Sequence, residues 1–165
     1  MSEPQAAAKL HLQPWIQGHG AHYLSSGGAR GHIEDLSSRG GRLFAPHLLL
    51  RYVGRKTGKT YTIPLFYGVY GGEVVIVASK GGAPAHPAWY LNLTASDQVR
   101  FQVATQAFRG TWREPEATER DQLWKLMVSN HPAYADYQAK TSRRIPIILL
   151  QAVEEIPVFK PADAA

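Results

Sequence analysis

Residues 61–82 read YTIPLFYGVYGGEVVIVASKGG, and this stretch decides the fold. Two runs rich in β-branched and aromatic residues, Tyr61 to Tyr70 and Glu73 to Ser79, flank Gly71-Gly72. Such composition favours strands, and two adjacent glycines that both accept positive φ make a tight hairpin connection. Working outward, His47 to Val53 is a third such run. Val99 to Ala104 and Ala107 to Arg113 read as a further hairpin, and Ile145-Pro146-Ile147-Ile148-Leu149-Leu150 as a closing buried strand. Helices enter late. Trp89, Tyr90 and Leu93 follow His86-Pro87 at helical spacing. Pro115 opens the clearest helix, with Leu123, Trp124, Met127 and Val128 as its apolar stripe, Glu116/Arg120 and Asp121/Lys125 as i,i+4 pairs, and His131-Pro132 as its stop. A second helical piece, AYADYQAKT, sets Tyr134 and Tyr137 on one face. About six short strands with helices inserted late predict an α+β protein built on a small, mostly antiparallel barrel, because closing a sheet removes its exposed edges.

A chain of 165 residues, 44% apolar and 19% charged, suits one soluble domain, and no stretch approaches the length of a membrane span. The barrel is expected over 46–156, after an irregular or helical segment at 1–45 and before a frayed end at 157–165. Gly18, Gly20, Gly27, Gly28, Gly31, Gly40 and Gly41 should break any long helix in the first segment. Within it, Leu10-His11-Leu12-Gln13-Pro14-Trp15-Ile16 reads as an arm capping the domain, with a membrane surface as the alternative. The absence of cysteine excludes disulfides, thiolate chemistry and Cys-based metal sites. With no apolar h-region in MSEPQAAAKL, a cytoplasmic location is expected.

The net charge of +5 and pI near 9.6 call for an acidic partner. Arg51, Arg55, Lys56 and Lys59 fall within ten residues that contain no Asp or Glu. The segment GRKTGKT (54–60) is no P-loop: three residues, not four, separate its first glycine from Gly-Lys-Thr, and a strand-like run follows where a helix must begin. It reads as a glycine-bracketed hairpin loop able to clamp a phosphate through its cations, the Thr57 hydroxyl or its backbone N–H groups. His19 and His22 lie in a glycine-rich region with no carboxylate until Glu34, so they read as a solvated pair rather than a metal site. Ser79 lacks the glycine of a nucleophile elbow, and the acidic residues gather on the helix after Pro115. Nucleic acid is excluded as a partner, since the basic residues are confined to one turn. Trp89, Tyr90, Tyr134 and Tyr137 are core aromatics or, taken with the cationic loop, flank a flat ring system with an anionic tail.

Three strings carry a family likeness: GRKTGKTYTIPL (54–65), VVIVASKGGAPAHPAWYLNL (74–93) and HPAYADYQAKTSRRIPIILL (131–150). Together they resemble the deazaflavin-dependent nitroreductase family, whose members use coenzyme F420 on a split β-barrel of the FMN-binding type. The likeness runs from about Leu49 to Leu150. It implies a reductase in which reduced F420 gives a hydride to an electron-poor acceptor such as a quinone, an activated alkene or a nitroaromatic. It also implies residue roles. Arg55, Lys56 and Thr57 would meet the phosphate and oligoglutamate tail; Tyr61, Thr62, Ile63, Pro64, Leu65 and Phe66 would line the cofactor groove. Val77, Ala78, Ser79 and Lys80 would hold the ring and its linker, and Ala88, Trp89, Tyr90, Leu91 and Asn92 would open a helix facing the cofactor. Tyr134 would close the pocket over the ring, and Tyr137 would meet the substrate or supply a proton. Where many members read Gly-x-Pro-Arg, this sequence has Lys59-Thr60-Tyr61, a phenol in place of a cation. The resemblance leaves two alternatives: a carrier of cofactor or lipid on the same fold, or an FMN-dependent reductase. It further suggests a homodimer, and peripheral membrane contact through the N-terminal segment.

Overall fold

The computed structural model describes residues 14–161, with side chains from Ile16 onward. The chain runs α1 (Pro14–Ser25), β1 (Ile33–Glu34), a 3-10 turn (Ser37–Arg39), β2 (Ala45–Val53), β3 (Thr60–Phe66), β4 (Gly68–Tyr70) and β5 (Glu73–Val77). A second 3-10 turn (Lys80–Gly82), α2 (Ala88–Leu93), β6 (Val99–Val103), β7 (Gln106–Arg113), α3 (Ala117–Asn130), α4 (Ala133–Ala139) and β8 (Ile147–Ile156) follow. The arm expected at Leu10–Ile16 lies outside the described residues as far as Gln13, as do the last four residues.

Every ladder is antiparallel, in the order β1-β2-β6-β7-β8-β5-β4, with β3 on the other edge of β2. Only Tyr67 separates β3 from β4, yet β3 pairs with β2 and β4 with β5. One bent segment therefore closes the circuit, and six strands form a split β-barrel if β3 and β4 count as one. The strand expected to run unbroken from Tyr61 to Tyr70 is bent because its two halves serve different partners. At the bend the Tyr67 N–H donates to the Pro46 carbonyl at 3.2 Å.

Two large apolar groups lie on opposite faces of the sheet, and a third joins Tyr23 and Leu24 of α1 to Leu49, Ala107 and Phe159. Leu48, Leu50, Ile63, Ile76, Phe101, Ile148, Leu150 and Trp89 fill the barrel. Val75, Val77, Ile147 and Leu149 point the other way, against Leu123 and Met127 of α3 and Tyr134 of α4, as the two-residue alternation of a strand requires. Burying each such side chain contributes about 1.5–3 kcal/mol. The expected Glu116/Arg120 and Asp121/Lys125 pairs do not close among the described residues; Arg113 instead bridges Glu73 and Glu119, and Arg120 donates to the Ile145 carbonyl at 2.8 Å.

The first segment departs from its glycine-based reading, because α1 is a 12-residue helix that contains both Gly18 and Gly20. Packing outweighs propensity here. A Cβ on Gly20 would stand 3.4 Å from Pro64 Cδ on β3, and Tyr23, fully buried, donates from its hydroxyl to the His47 carbonyl and accepts from the Ala104 N–H. His19 is likewise no solvated residue. It is 7% exposed, with Nε2 2.6 Å from the Gly31 carbonyl, whereas His22 is exposed.

Candidate active site

The cationic loop between β2 and β3 is closed by hydrogen bonds from Gly54 N–H to the Lys59 carbonyl and from Gly58 N–H to the Gly54 carbonyl. Arg55 donates to Asn92 Oδ1 from both its backbone N–H and Nη1, each at 2.9 Å. Buried Asn92 thus ties the loop to α2, while Arg55, Lys56 and Thr57 stay exposed. The Thr57 and Tyr61 hydroxyls share a hydrogen bond of 3.2 Å, so the phenol at position 61 stands beside the loop.

Along β3 the residues divide by face. Ile63 and Leu65 join the barrel interior, and Tyr61 stacks on Tyr52 at 5.5 Å. Thr62, Pro64 and Phe66 lie outward: Thr62 accepts from Arg51 Nε, Pro64 meets α1, and the Phe66 ring lies 6.2 Å from Tyr134. The groove attributed to all six residues is therefore divided between two sides of the strand. Trp89 is 4% exposed and belongs to the barrel core, Ala88 and Leu91 face solvent, and Tyr90 donates its hydroxyl to Glu114. Burial and that carboxylate push the Tyr90 phenol up to about 12.

After β5 the chain turns sharply. Val77 and Ala78 are buried, Ser79 is half-buried and Lys80 exposed. Lys80, Gly81 and Gly82 all take positive φ, at 46°, 62° and 83°. A Cβ on Gly82 would stand 2.5 Å from the Tyr137 carbonyl oxygen, so the glycine lets the turn pack directly on α4. That contact brings the Lys80–Gly82 turn against the backbone of the helix that carries both tyrosines. Tyr134 is ringed by His131 (4.7 Å), Tyr137 (6.1 Å), Phe66 (6.2 Å) and Trp124 (6.4 Å). Burial, then the neighbouring Tyr137, raise its pKa, and among the described residues its hydroxyl has no hydrogen-bond partner. Tyr137 is half-buried and also raised by burial, with Arg39 opposing and Asp136 adding. Both phenols stay protonated at neutral pH.

Two residues of this neighbourhood carry no role in the sequence reading. Arg143, between α4 and β8, donates to three carbonyls of the Ala78–Ala83 turn, and His86 accepts from it at Nδ1. Arg143 lies in the string SRRIP of the third family-like segment and His86 before Pro87 in the second, with no spacing that joins them. A cavity of about 310 Å³ lies beyond Phe66, between it and Phe44, Pro46, Val69 and Asn130. It shares Phe66 with the tyrosine cluster and is separate from the Lys80 turn.

The family described as F420H(2)-dependent quinone reductase matches residues 32–152. The chain belongs to that family. An F420H(2)-dependent quinone reductase of Mycobacterium tuberculosis (strain ATCC 25618 / H37Rv) is 39% identical over 108 residues, covering 64% of this chain and 72% of its own. Among solved structures, one described as an F420-H2 dependent reductase is 41% identical with a TM-score of 0.59, over 64% of this chain and 94% of its own. Another with the same identity and TM-score, covering 64% of this chain and 80% of that one, is described as a domain-swapped dimer. The family member described here is an F420H2-dependent oxidoreductase, and coenzyme F420 is its cofactor. Its residues fit that group. An exposed cationic loop anchored by Asn92 suits an anionic tail, and a turn of positive-φ residues beside buried aromatics suits a flat ring.

Proposed function

We propose that this oxidoreductase reduces a quinone-type acceptor, with the cofactor held between two loops and the acceptor under the α4 tyrosines. The observation that carries this reading is the contact of Gly82 with Tyr137, which sets the ring-holding turn and the tyrosine helix side by side. When bound, reduced F420 supplies the hydride. The chain's own part is binding, orientation and proton supply. Arg55, Lys56 and Thr57 hold the phosphate and tail, and Asn92 fixes the approach of Arg55. Ala78, Ser79 and Lys80 hold the ring edge, with Val77 buried beneath them and the outer residues of β3 lining the approach. Phe66, Trp124 and His131 pack around the Tyr134 ring and fix its position. Reduction of a quinone to a hydroquinone takes up one hydride and one proton. The Tyr134 hydroxyl, protonated and without an internal partner, is placed to give that proton or to hydrogen-bond the acceptor carbonyl. Tyr137, nearer solvent, replenishes it.

Exposed Phe44 and Val69, 75% and 60% accessible, line the cavity beyond Phe66, and Leu43, 54% accessible, precedes Phe44 in the chain. They support peripheral contact with the lipid surface where a quinone resides. No helix among the described residues is long and apolar enough to cross a membrane, and the reading places the enzyme in the cytoplasm at that surface. The dimeric solved relative supports a homodimer. The test is oxidation of F420H2, followed by the return of deazaflavin absorbance, with a short-chain quinone and with a nitroaromatic as alternative acceptors. A higher kcat/KM for the quinone supports the proposal. Turnover with the nitroaromatic alone would remove the quinone from it.

A further inference from the structure

Arg143 makes an unusual set of bonds for a half-buried cation: it has no carboxylate partner among the described residues and gathers main-chain carbonyls instead. Nε donates to the Ala83 carbonyl at 2.7 Å, Nη2 to the Ser79 carbonyl at 2.7 Å and Nη1 to the Ala78 carbonyl at 3.2 Å. Nη1 also lies 3.1 Å from His86 Nδ1; since a guanidinium only donates, Nδ1 accepts and carries no proton. The arginine's own backbone is fixed from α4, because Gln138 donates from Nε2 to the Arg143 carbonyl at 2.8 Å and accepts from the Ile145 N–H at 3.0 Å. One side chain therefore ties the tyrosine helix, through Gln138, to the turn that follows β5.

The direction of those carbonyls has a consequence. A trans peptide is planar, with its C=O and N–H pointing opposite ways. Drawing the Ala78 and Ser79 carbonyls onto Arg143 turns the N–H groups of Ser79 and Lys80 away from it. Ser79 is right-handed (φ −78°, ψ −40°) and Lys80 left-handed in φ (46°), a succession that makes consecutive N–H groups converge on one concave side. The N–H groups of Ser79, Lys80 and Gly81 make no hydrogen bond among the described residues. A lysine at positive φ is a conformation the backbone resists and that its surroundings must enforce. Arg143 bonds the carbonyls on both sides of that lysine, at Ser79 and Ala83.

We propose that Arg143 is a positioning residue for the cofactor: through its fork of carbonyl bonds it shapes the Ser79–Gly81 amides into a receptor for the electron-rich carbonyl oxygens of the deazaflavin ring. This rests on the reading that the Ala78–Lys80 turn holds the ring. The guanidinium acts only through the turn and does not touch the cofactor. Its planar fork is what matters, and an ammonium at the same place cannot reproduce three directed bonds.

The test is fluorescence titration of the wild type, Arg143→Ala, Arg143→Lys and Lys56→Ala with two probes: complete F420, and the deazaflavin ring with its ribityl chain but no phosphate or glutamate tail. Arg143→Ala should weaken both probes by the same factor, tenfold or more. Lys56→Ala should weaken only the complete cofactor. Arg143→Lys should behave like Arg143→Ala, and millimolar ethylguanidinium should restore ring binding to the alanine variant. Thermal unfolding of each variant establishes that it is folded at the assay temperature; should Arg143→Ala not fold, Arg143→Lys decides. Affinity for the ring probe within twofold of wild type in a folded variant overturns the inference while leaving the proposed function standing. Failure of the wild type to bind either probe removes the ring-site reading, and this inference falls with it.

Discussion

Acidification should destabilise the fold through a histidine that burial keeps neutral well below its ordinary pKa. His47 on β2 is 4% exposed, with its Nδ1–H donating to the Ala45 carbonyl at 2.9 Å and its ring 4.7 Å from His19 and 6.0 Å from Phe66. Burial drives its pKa from 6.5 to about 4, against the opposing Ala45 bond and helped by His19, His131 and His32. In the unfolded chain the same imidazole takes up a proton near 6.5. Between those values the unfolded state binds more protons, so stability rises with pH and falls as pH drops from about 6.5 towards 4. Linkage over that window gives a loss of about 2 kcal/mol from pH 7.5 to pH 5 for this one group. Burial lowers His32 and His131 in the same direction. Urea unfolding at both pH values, on wild type and His47→Asn, isolates the contribution, because carboxylate protonation affects both proteins alike. The wild type should lose about 2 kcal/mol more than the variant. Equal losses would refute the reasoning and place the acid sensitivity elsewhere.

Three further outcomes follow from the site. Gly82→Ala, which adds a Cβ 2.5 Å from the Tyr137 carbonyl at a φ of 83°, should lower stability by about 1–3 kcal/mol and reduce turnover; an unchanged melting temperature would show that the turn yields freely. Tyr134→Phe should leave the F420 dissociation constant within twofold and lower kcat by roughly tenfold or more if its hydroxyl serves the proton step, whereas parallel losses would make it a packing residue. Asn92→Ala, which removes both bonds to Arg55, should weaken complete F420 by about 1–3 kcal/mol and leave a tail-less ring probe unaffected; equal weakening of both would move Asn92 from the tail to the ring.

What the sequence made legible was local. Gly71-Gly72 marked the β4–β5 hairpin, the Ile145–Leu150 run marked β8, and Leu123 and Met127 marked the buried face of α3, each through composition or spacing within a few residues. What it hid is set by distant partners. The bend at Tyr67 exists because β3 and β4 pair with different strands, and Gly68 beside it is the run's local hint of a break. Gly18 and Gly20 argued against a helix that packing on Pro64 and the burial of Tyr23 sustain. His19 read as solvated because Gly31 is twelve residues away. At the site, the cationic loop was visible as a cluster, but its anchor Asn92 lies 37 residues on. The carbonyls held by Arg143 lie 60 to 65 residues back, a separation at which no spacing rule operates. The β3 residues were read as one groove because the family likeness names a stretch, while the pleat sends alternate side chains to opposite faces.

Titration of the purified protein with F420, followed by deazaflavin fluorescence and set beside FMN, tests most directly the claim that this chain holds a deazaflavin between its cationic loop and the Lys80 turn. Saturable F420 binding at micromolar concentrations or below, weakened by Lys80→Ala and not displaced by FMN, is the predicted result. Submicromolar binding of FMN with none of F420 would contradict the account.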